Sequence, residues 1–490
     1  MHGAYTRADA LGEGICGATD DKLPGGDAVS RTRLDREAVF FCAESTMVSR
    51  SFLLRGGRVV DPLSNVDGRA DVRVVDGVIV AVGNLDPNPA ERIVEADGLV
   101  VAPGFIDVHV HLREPGQEWK ETIGTGTAAA AAGGFTTIFC MPNTEPALDS
   151  VAALEELRQR IDRDALVAVH PIAAISEGRR GMRPVDFDGL AAAGAVGYSD
   201  DGDTTVDAAI MMQALGASRR VGIPVMVHCE DATLTGGAMH DGDISQKLGI
   251  YAIPAAAEES IIGRDIALAE KSGGWLHVCH VSTGRGAELI AAAKARGVRV
   301  TAEVMPHHLT MTDAWVAGCR KMVNVAEPIF SDGAVADPAT KVNPPLRTLS
   351  DTRCLLQALQ RRDIDLIATD HAPHAQPEKR GRTFAHAAFG MSGSEFALPV
   401  VLALVRAGKL ALSDVVRSLS TTPARLWGLE AGTLRPGSPA DIVVFDLDEV
   451  WTACEDRIVS RSANSPLIGM ELRGRVKMTF VGGDERHRDW

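Results

Sequence analysis

The chain has 490 residues, 45% of them apolar and 23% charged, a globular composition that excludes disordered, collagen-like and coiled-coil proteins and suits one large barrel with a satellite domain. Acidic residues outnumber basic ones, 65 against 50, for a net charge of −15, and no basic run interleaved with aromatics occurs, which argues against a nucleic-acid partner. Apolar stretches stay short of the roughly 18 to 20 residues that a membrane span needs, no signal-peptide pattern opens the chain, and the eight cysteines show no CxxC spacing; a soluble, cytoplasmic protein without a disulfide framework is expected.

Residues 1–48 mix Gly, Asp, Thr and Arg without periodicity and include the turn-prone Lys22-Leu23-Pro24-Gly25-Gly26. This predicts a poorly ordered extension, with Met47 an alternative start of translation. From residue 50, short β-prone runs follow: Phe52 to Leu54, Arg58 to Val60, Val72 to Val75 and Val78 to Val82, separated by Gly-Gly, Asp-Pro and Asp76-Gly77 turns. They predict the first part of a small β domain over 50–102. Its second part, over 429–485, is expected from Ala440 to Phe445 and Val476 to Val481, because chain ends often lie together. Between 103 and 428, apolar runs alternate with Ala-rich helical stretches. The runs are Phe135 to Phe139, Leu166 to Val169, Val225 to Val227, Leu276 to Val278, Val298 to Thr301 and Ile364 to Ala368, with helices such as Val151 to Ile161 and Ala287 to Ala295. About eight such units predict an α/β fold, a (β/α)8 TIM-like barrel with a small β-sandwich domain built from both chain ends. No GxGxxG or GxxxxGKS/T motif occurs, which weakens dinucleotide and P-loop readings.

Chemistry in a barrel sits at the C-terminal ends of its strands. His109 and His111 end the run from Gly104, and the strand period of two aims both rings at one face, as metal ligation requires. His228 follows Val225-Met226-Val227, His280 closes the run from Leu276, and Asp370 follows Ile367-Ala368-Thr369. Together these residues match a binuclear hydrolytic metal site, suited to Zn2+, with Mn2+, Co2+ or Fe2+ as alternatives. By the same alternation Cys229, Cys279 and His277 are expected to face away from the metals. His307 and His308 are assigned structural roles, and His170 reaches no further than the cavity rim. A binuclear pair needs an anionic bridge, in many related barrels a carbamylated lysine on the fourth strand, yet no lysine occurs between Lys120 and Lys247. Asp201 is the favoured bridge, with Asp200 beside it as the alternative.

Gly104 to Gly116 (GFIDVHVHLREPG), Met141-Pro142-Asn143-Thr144, His228-Cys229-Glu230, His280-Val281-Ser282-Thr283, Lys341 to Arg347 (KVNPPLR) and Thr369 to His374 (TDHAPH) resemble the bacterial class I dihydroorotases of the amidohydrolase superfamily, over nearly all of residues 50–485. The resemblance implies reversible cyclisation of N-carbamoyl-L-aspartate to L-dihydroorotate and water, in de novo pyrimidine biosynthesis. It implies one or two zinc ions per chain, His109 and His111 on the first, His228 and His280 on the second, Asp201 bridging, and Asp370 as both a ligand of the first and the proton-transfer group. It also implies that Arg113, Asn143 and His374 meet the carboxylate of a small-molecule substrate, with His111 among the substrate-binding residues. Asn343 and the backbone of Phe389-Gly390 would hold the ring amide and ureido edge. A homodimer, with association to aspartate transcarbamoylase, is the implied assembly.

Two rivals stand beside this expectation: a cyclic amide hydrolase of the allantoinase or hydantoinase type, and an inactive barrel that scaffolds aspartate transcarbamoylase. The first usually relies on the missing lysine, and the second tends to lack metal histidines that are all present here. Two segments depart from the resemblance. Residues 1–48 have no counterpart, and Ala314 to Thr340 is longer than expected, so that it either alters a lid, a subunit contact or metal access beside Asn343 or is a surface insertion.

Overall fold

Alternation of apolar residues over short strands, closed by Gly and Asp turns, builds the two sheets at the ends of the chain. The structure, a computed structural model, describes residues 50–324, 326, 333 and 335–489; the expectation of a disordered extension over 1–48 falls outside them. A 4-stranded sheet contains Phe52–Arg55, Asp71–Val75, Val78–Gly83 and Ile93–Glu95. A 6-stranded sheet joins Arg58–Asp61, Val66–Arg69 and Val100–Pro103 to the C-terminal strands Ile442–Thr452, Glu471–Val481 and Asp484–Arg488. The join is the antiparallel pairing of Val100 to Pro103 with Phe445 to Ile442.

Between the sheets lies one apolar cluster drawn from both ends, including Phe52, Val72, Ile79, Ile442 and Phe480. Phe52 stacks on Phe480 at 4.7 Å between ring centroids. A buried carboxylate adds a polar tie: Asp61 accepts hydrogen bonds from Thr433 Oγ1 (2.8 Å) and the Leu434 amide (2.9 Å), so its desolvation is compensated by donors from the far end of the chain.

The barrel strands are Phe105–Val110, Phe135–Cys140, Ala168–Pro171, Val225–Val227, Leu276–Val278, Val300–Val304 and Leu366–Ile367. The fourth position is a single bridged residue, Tyr198, paired with Ala173 on one side and Val225 on the other. A bridge between Val110 and His371 closes the ring. Eight helices follow the strands in turn: Ile123–Ala132, Val151–Asp164, Phe187–Ala192, Ala208–Val221, Ala256–Ser272, Gly284–Ala295, Leu349–Arg361 and Ala397–Arg406. Their starts are chemically marked: Ser150, Asp207, Thr283 and Thr348 each cap the first turn through a side-chain oxygen.

Two apolar layers sort the strand residues. Phe105, Phe135, Val225, Leu276 and Val278 pack with helical Leu154, Leu215 and Ile290, whereas Ile106, Phe139, Met226, Met305 and Leu366 form a separate cluster within the ring. The interior cluster also includes Cys279, so the expectation that this thiol faces the helices is wrong. The expectation for His277 fails for the same reason. Leu276 and Val278 pack on the helices, so His277 between them points inward, and counting back from His280 misleads because His280 sits at φ +33°, where regular alternation has ended. Cys229 does lie in the strand–helix layer.

Replacing Phe480 by Ala empties a position whose ring is wholly buried against Phe52, and should destabilise the chain by about 3–5 kcal/mol. Urea unfolding checks this; the sandwich contact is dispensable if the midpoint is unchanged.

Candidate metal centre and active site

Every strand end that the sequence singled out converges at one mouth of the barrel. His109, His111, Asp201, His228, His280 and Asp370 are all buried. His109 Nε2 lies 3.5 Å from Asp201 Oδ1 and 3.6 Å from Asp370 Oδ1. His111 Nε2 lies 3.0 Å from Asp370 Oδ1 and 3.5 Å from Asp201 Oδ2. His280 Nε2 is 3.6 Å from Asp201 Oδ1 and 3.0 Å from His228 Nδ1. Asp201 thus stands between the two histidine pairs. Asp200 turns away to accept from the Ile175 and Ser176 amides and from Thr205, which leaves Asp201 as the bridge candidate.

The outer nitrogens fix how the inner ones point. His109 Nδ1 sits 2.6 Å from Glu303 Oε1 and His111 Nδ1 sits 2.8 Å from Asn143 Oδ1. Each Nδ1 therefore carries the proton, and each Nε2 turns a lone pair toward the carboxylates. Likewise His228 Nε2 contacts Glu230 Oε2 at 3.4 Å, turning its Nδ1 lone pair toward His280. His109 Nε2 and Asp201 Oδ1 are buried without a hydrogen-bond partner. Lone pairs and carboxylates packed this closely repel unless a cation lies among them. The donor set, imidazole nitrogens with carboxylate oxygens, fits divalent zinc-type ions. Among the described residues three groupings have ligand atoms within 4.8 Å of one another: His109, His111 and Asp370; His109, Asp201 and His280; and His109, Cys279 and Glu303.

With no metal among these groups a proton plays the cation's part: burial would lower His109, but Asp201 and Glu303 hold it well above the ordinary imidazole range. Burial alone would raise the Asp201 carboxyl, yet the His109, His280 and His111 rings hold it well below the ordinary range. Burial would also raise Glu303, but His109 and His277 bring it down. Asp107 shows the opposite balance, pushed up to about 6 mainly by burial. It ties the first strand to the last by accepting from the Thr369 amide (3.0 Å) and from the His109 amide (3.2 Å).

Three residues of the site, Arg113, His280 and Asp370, hold positive φ values of 61°, 33° and 48°. Such backbone costs about 1–3 kcal/mol per residue and persists where surrounding contacts demand it. Here it turns each side chain into a cavity of about 190 Å³ lined by His111, Arg113, Asn143, Asn343, His374, Phe389 and Gly390 together with the ligand candidates.

Arg113 is buried, and burial lowers it to about 10. Its Nε donates to the Pro373 carbonyl (3.1 Å), and Nη2 lies 3.3 Å from His374 Nε2. That ring nitrogen is itself 2.7 Å from the Phe389 carbonyl, so it is protonated and cannot accept from Arg113. The guanidinium keeps unsatisfied donors facing the cavity. Asn343 donates to Glu230 Oε2 at 2.9 Å and leaves Oδ1 unpartnered. Three backbone groups of Phe389 and Gly390 are engaged, Phe389 O with His374, Gly390 N with Lys341 O (2.9 Å) and Gly390 O with Asn464 (3.2 Å), while the Phe389 N–H takes part in none of these contacts.

Glu303 escaped sequence reading. It accepts from His109 and, at 3.1 Å, from His277 Nε2, whose Nδ1 meets Thr301 Oγ1 at 2.8 Å. The signal was a carboxylate within the apolar run Val300–Val304, two residues from Thr301 and so on its face. Cys279 was misplaced as well; it lies within 4.8 Å of His109 and Glu303. His308 donates to the Pro344 carbonyl (3.1 Å) and His307 is buried beside it, while His170 packs edge-on to Phe139. The opening of the long segment is core: Trp315 is wholly buried, and Val316 packs with Met239 and Phe384. A surface insertion does not describe those residues.

Comparison with known proteins places this geometry in a family. A family model described as dihydro-orotase-like matches residues 98–285. A dihydroorotase of Anaeromyxobacter dehalogenans is 43% identical over 444 residues, 90% of this chain and 99% of that protein. A dihydroorotase of a Geobacter species is 40% identical over 435 residues, 88% and 98% of the two. Among solved structures, an L-hydantoinase (dihydropyrimidinase) from Arthrobacter aurescens matches with a TM-score of 0.77 at 25% identity, covering 89% of this chain and 95% of that one. A dihydropyrimidinase from Brevibacillus agri gives 0.75 at 25% identity over the same shares, 89% and 95%. With such identity sustained from end to end of its relatives, the chain belongs to the dihydroorotase family.

Proposed function

We propose that the chain interconverts L-dihydroorotate and N-carbamoyl-L-aspartate, a step of de novo pyrimidine synthesis. The observation that carries this assignment is Arg113: a buried guanidinium with unsatisfied donors, beside a metal-type cluster, is built for a substrate carboxylate. Dihydroorotate has one, on the ring carbon two bonds from its scissile carbonyl carbon. Hydantoin and allantoin have none, and the solved hydantoinases share the barrel without deciding the substrate.

His109, His111 and Asp370 would hold one cation and His228 with His280 a second, Asp201 lying between. Divalent cations bound there, zinc first among them, supply Lewis-acid polarisation of the ring carbonyl and bring the pKa of water toward neutrality. The chain's own groups do the rest. Arg113, Asn143 and His374 hold the carboxylate, the last by redirecting its Nε2–H from Phe389. Asn343 offers Oδ1 to a ring N–H. Asp370 engages His111 and His109 through Oδ1, which leaves Oδ2 to move the proton. In hydrolysis water adds its oxygen to the amide carbon, the carbon–nitrogen bond breaks, and Asp370 carries the water's proton to the leaving nitrogen. In the reverse direction Asp370 takes a proton from the ureido nitrogen as it attacks the side-chain carboxyl group, then passes that proton to the hydroxyl oxygen as its carbon–oxygen bond breaks, and water departs.

No helix among the described residues is long and apolar enough to cross a membrane. The cytoplasmic setting, the homodimer and the association with aspartate transcarbamoylase belong to the proposal, on the strength of the shared motifs.

Assays of L-dihydroorotate, allantoin and hydantoin side by side should show turnover of the first alone; preferential turnover of either other amide overturns the assignment. Asp370→Asn should lower kcat by at least about 10³-fold, as expected for loss of the group that moves the proton, with metal content by elemental analysis largely retained. An unchanged kcat would remove Asp370 from proton transfer. Arg113→Met should raise KM about 10²-fold with a smaller change in kcat, and an unchanged KM would show that the carboxylate binds elsewhere.

A further inference from the structure

Lys379 is wholly buried, and nothing in the chemistry above uses it. Its Nζ donates to the Lys341 carbonyl at 2.6 Å and to the Ala388 carbonyl at 2.8 Å. Those two carbonyls belong to separate segments. Lys341 precedes Asn343 by two residues, and Ala388 directly precedes Phe389 and Gly390, so each segment carries one wall of the cavity. Further bonds reinforce the join: Gly390 N donates to Lys341 O at 2.9 Å, Ala388 N donates to Glu378 O at 2.9 Å, and Lys341 Nζ donates to Ala385 O at 2.8 Å while lying 4.2 Å from the Phe389 ring centroid.

We propose that Lys379 is a positioning residue, a rivet that sets the spacing of Asn343 against Phe389-Gly390 and so determines how tightly the substrate ring is held. The inference rests on the proposed dihydroorotase activity for its kinetic readout. Lysine suits the task because a buried head group must place its donors on acceptors. Burial, reinforced by Lys341, lowers its pKa to about 7. A neutral amine still has two N–H groups, one for each carbonyl, so the rivet does not depend on the charge. The long stem also lets one residue reach both segments from outside the cavity, leaving the pocket free for substrate.

Lys379→Met keeps the stem and deletes the donors. With the holoenzyme we expect KM for L-dihydroorotate to rise about tenfold while kcat stays within about threefold, metal content is unchanged, and the Gly390 amide exchanges with deuterium faster than in the parent. Lys379→Arg should recover part of the KM. A merely structural role would lower the melting temperature without separating KM from kcat, and an unchanged KM in the folded variant overturns the proposal. If the Met variant is insoluble, Lys379→Leu, which also deletes the donors, is held to the same kinetic and exchange outcomes. If the parent enzyme does not turn over L-dihydroorotate, the activity assignment fails; the rivet is then judged by exchange at Gly390, where unchanged protection overturns it.

Discussion

Imidazole nitrogens and carboxylate oxygens, held 3.0–3.6 Å apart in a buried pocket, make up an arrangement that needs a proton or a metal cation among them. Electrostatic repulsion among acceptors is severe where water is excluded, and ordinary packing offers His109 Nε2 and Asp201 Oδ1 no donor. A divalent cation removes the conflict. Much of the surrounding structure can be understood as what is needed to hold these groups in place until that cation is shared among them.

Glu303 and Asn143 make the inner nitrogens available by occupying the outer ones, and His277 and Thr301 in turn hold Glu303. Such outer partners orient a ligand as surely as its own backbone does. Asp107 clamps the strand ends that carry His109 and Asp370. Positive φ at Arg113, His280 and Asp370 marks where regular strand geometry gives way to the demands of the pocket.

The cavity beside the cluster carries a different chemistry. The fold that carries the metal-type cluster is similar to that of hydantoinases and dihydropyrimidinases. Arg113 brings a buried positive charge to that cavity, held against Pro373 and His374, and the segments bearing Asn343 and Gly390 are fastened to one another through Lys341 and Lys379. Fixed donors on rigid walls lose little freedom when a ligand arrives. The metal-type cluster and these fixed polar groups line one small cavity.

Periodicity and punctuation in the chain were enough to read the barrel and the two-ended sandwich, because strands and helices leave distinct apolar repeats. Those repeats located Val225–Val227 and Leu276–Val278 to the residue, and they placed His109, His111, His228, His280 and Asp370 at strand ends. Motif resemblance supplied the substrate and the candidate carboxylate-binding residues. What the chain alone left open was decided by contacts between residues distant in sequence. Asp201 rather than Asp200 faces the histidines because Asp200 is captured by Ile175, Ser176 and Thr205. Cys279 and His277 turn inward because the strand ends in a kink at His280 that no alternation rule foresees. Glu303 gains its role only when its strand comes to lie near that of His109, 194 residues away. A linear pattern records which face a residue prefers, whereas partners across the barrel depend on closure, and closure is a property of the folded chain alone.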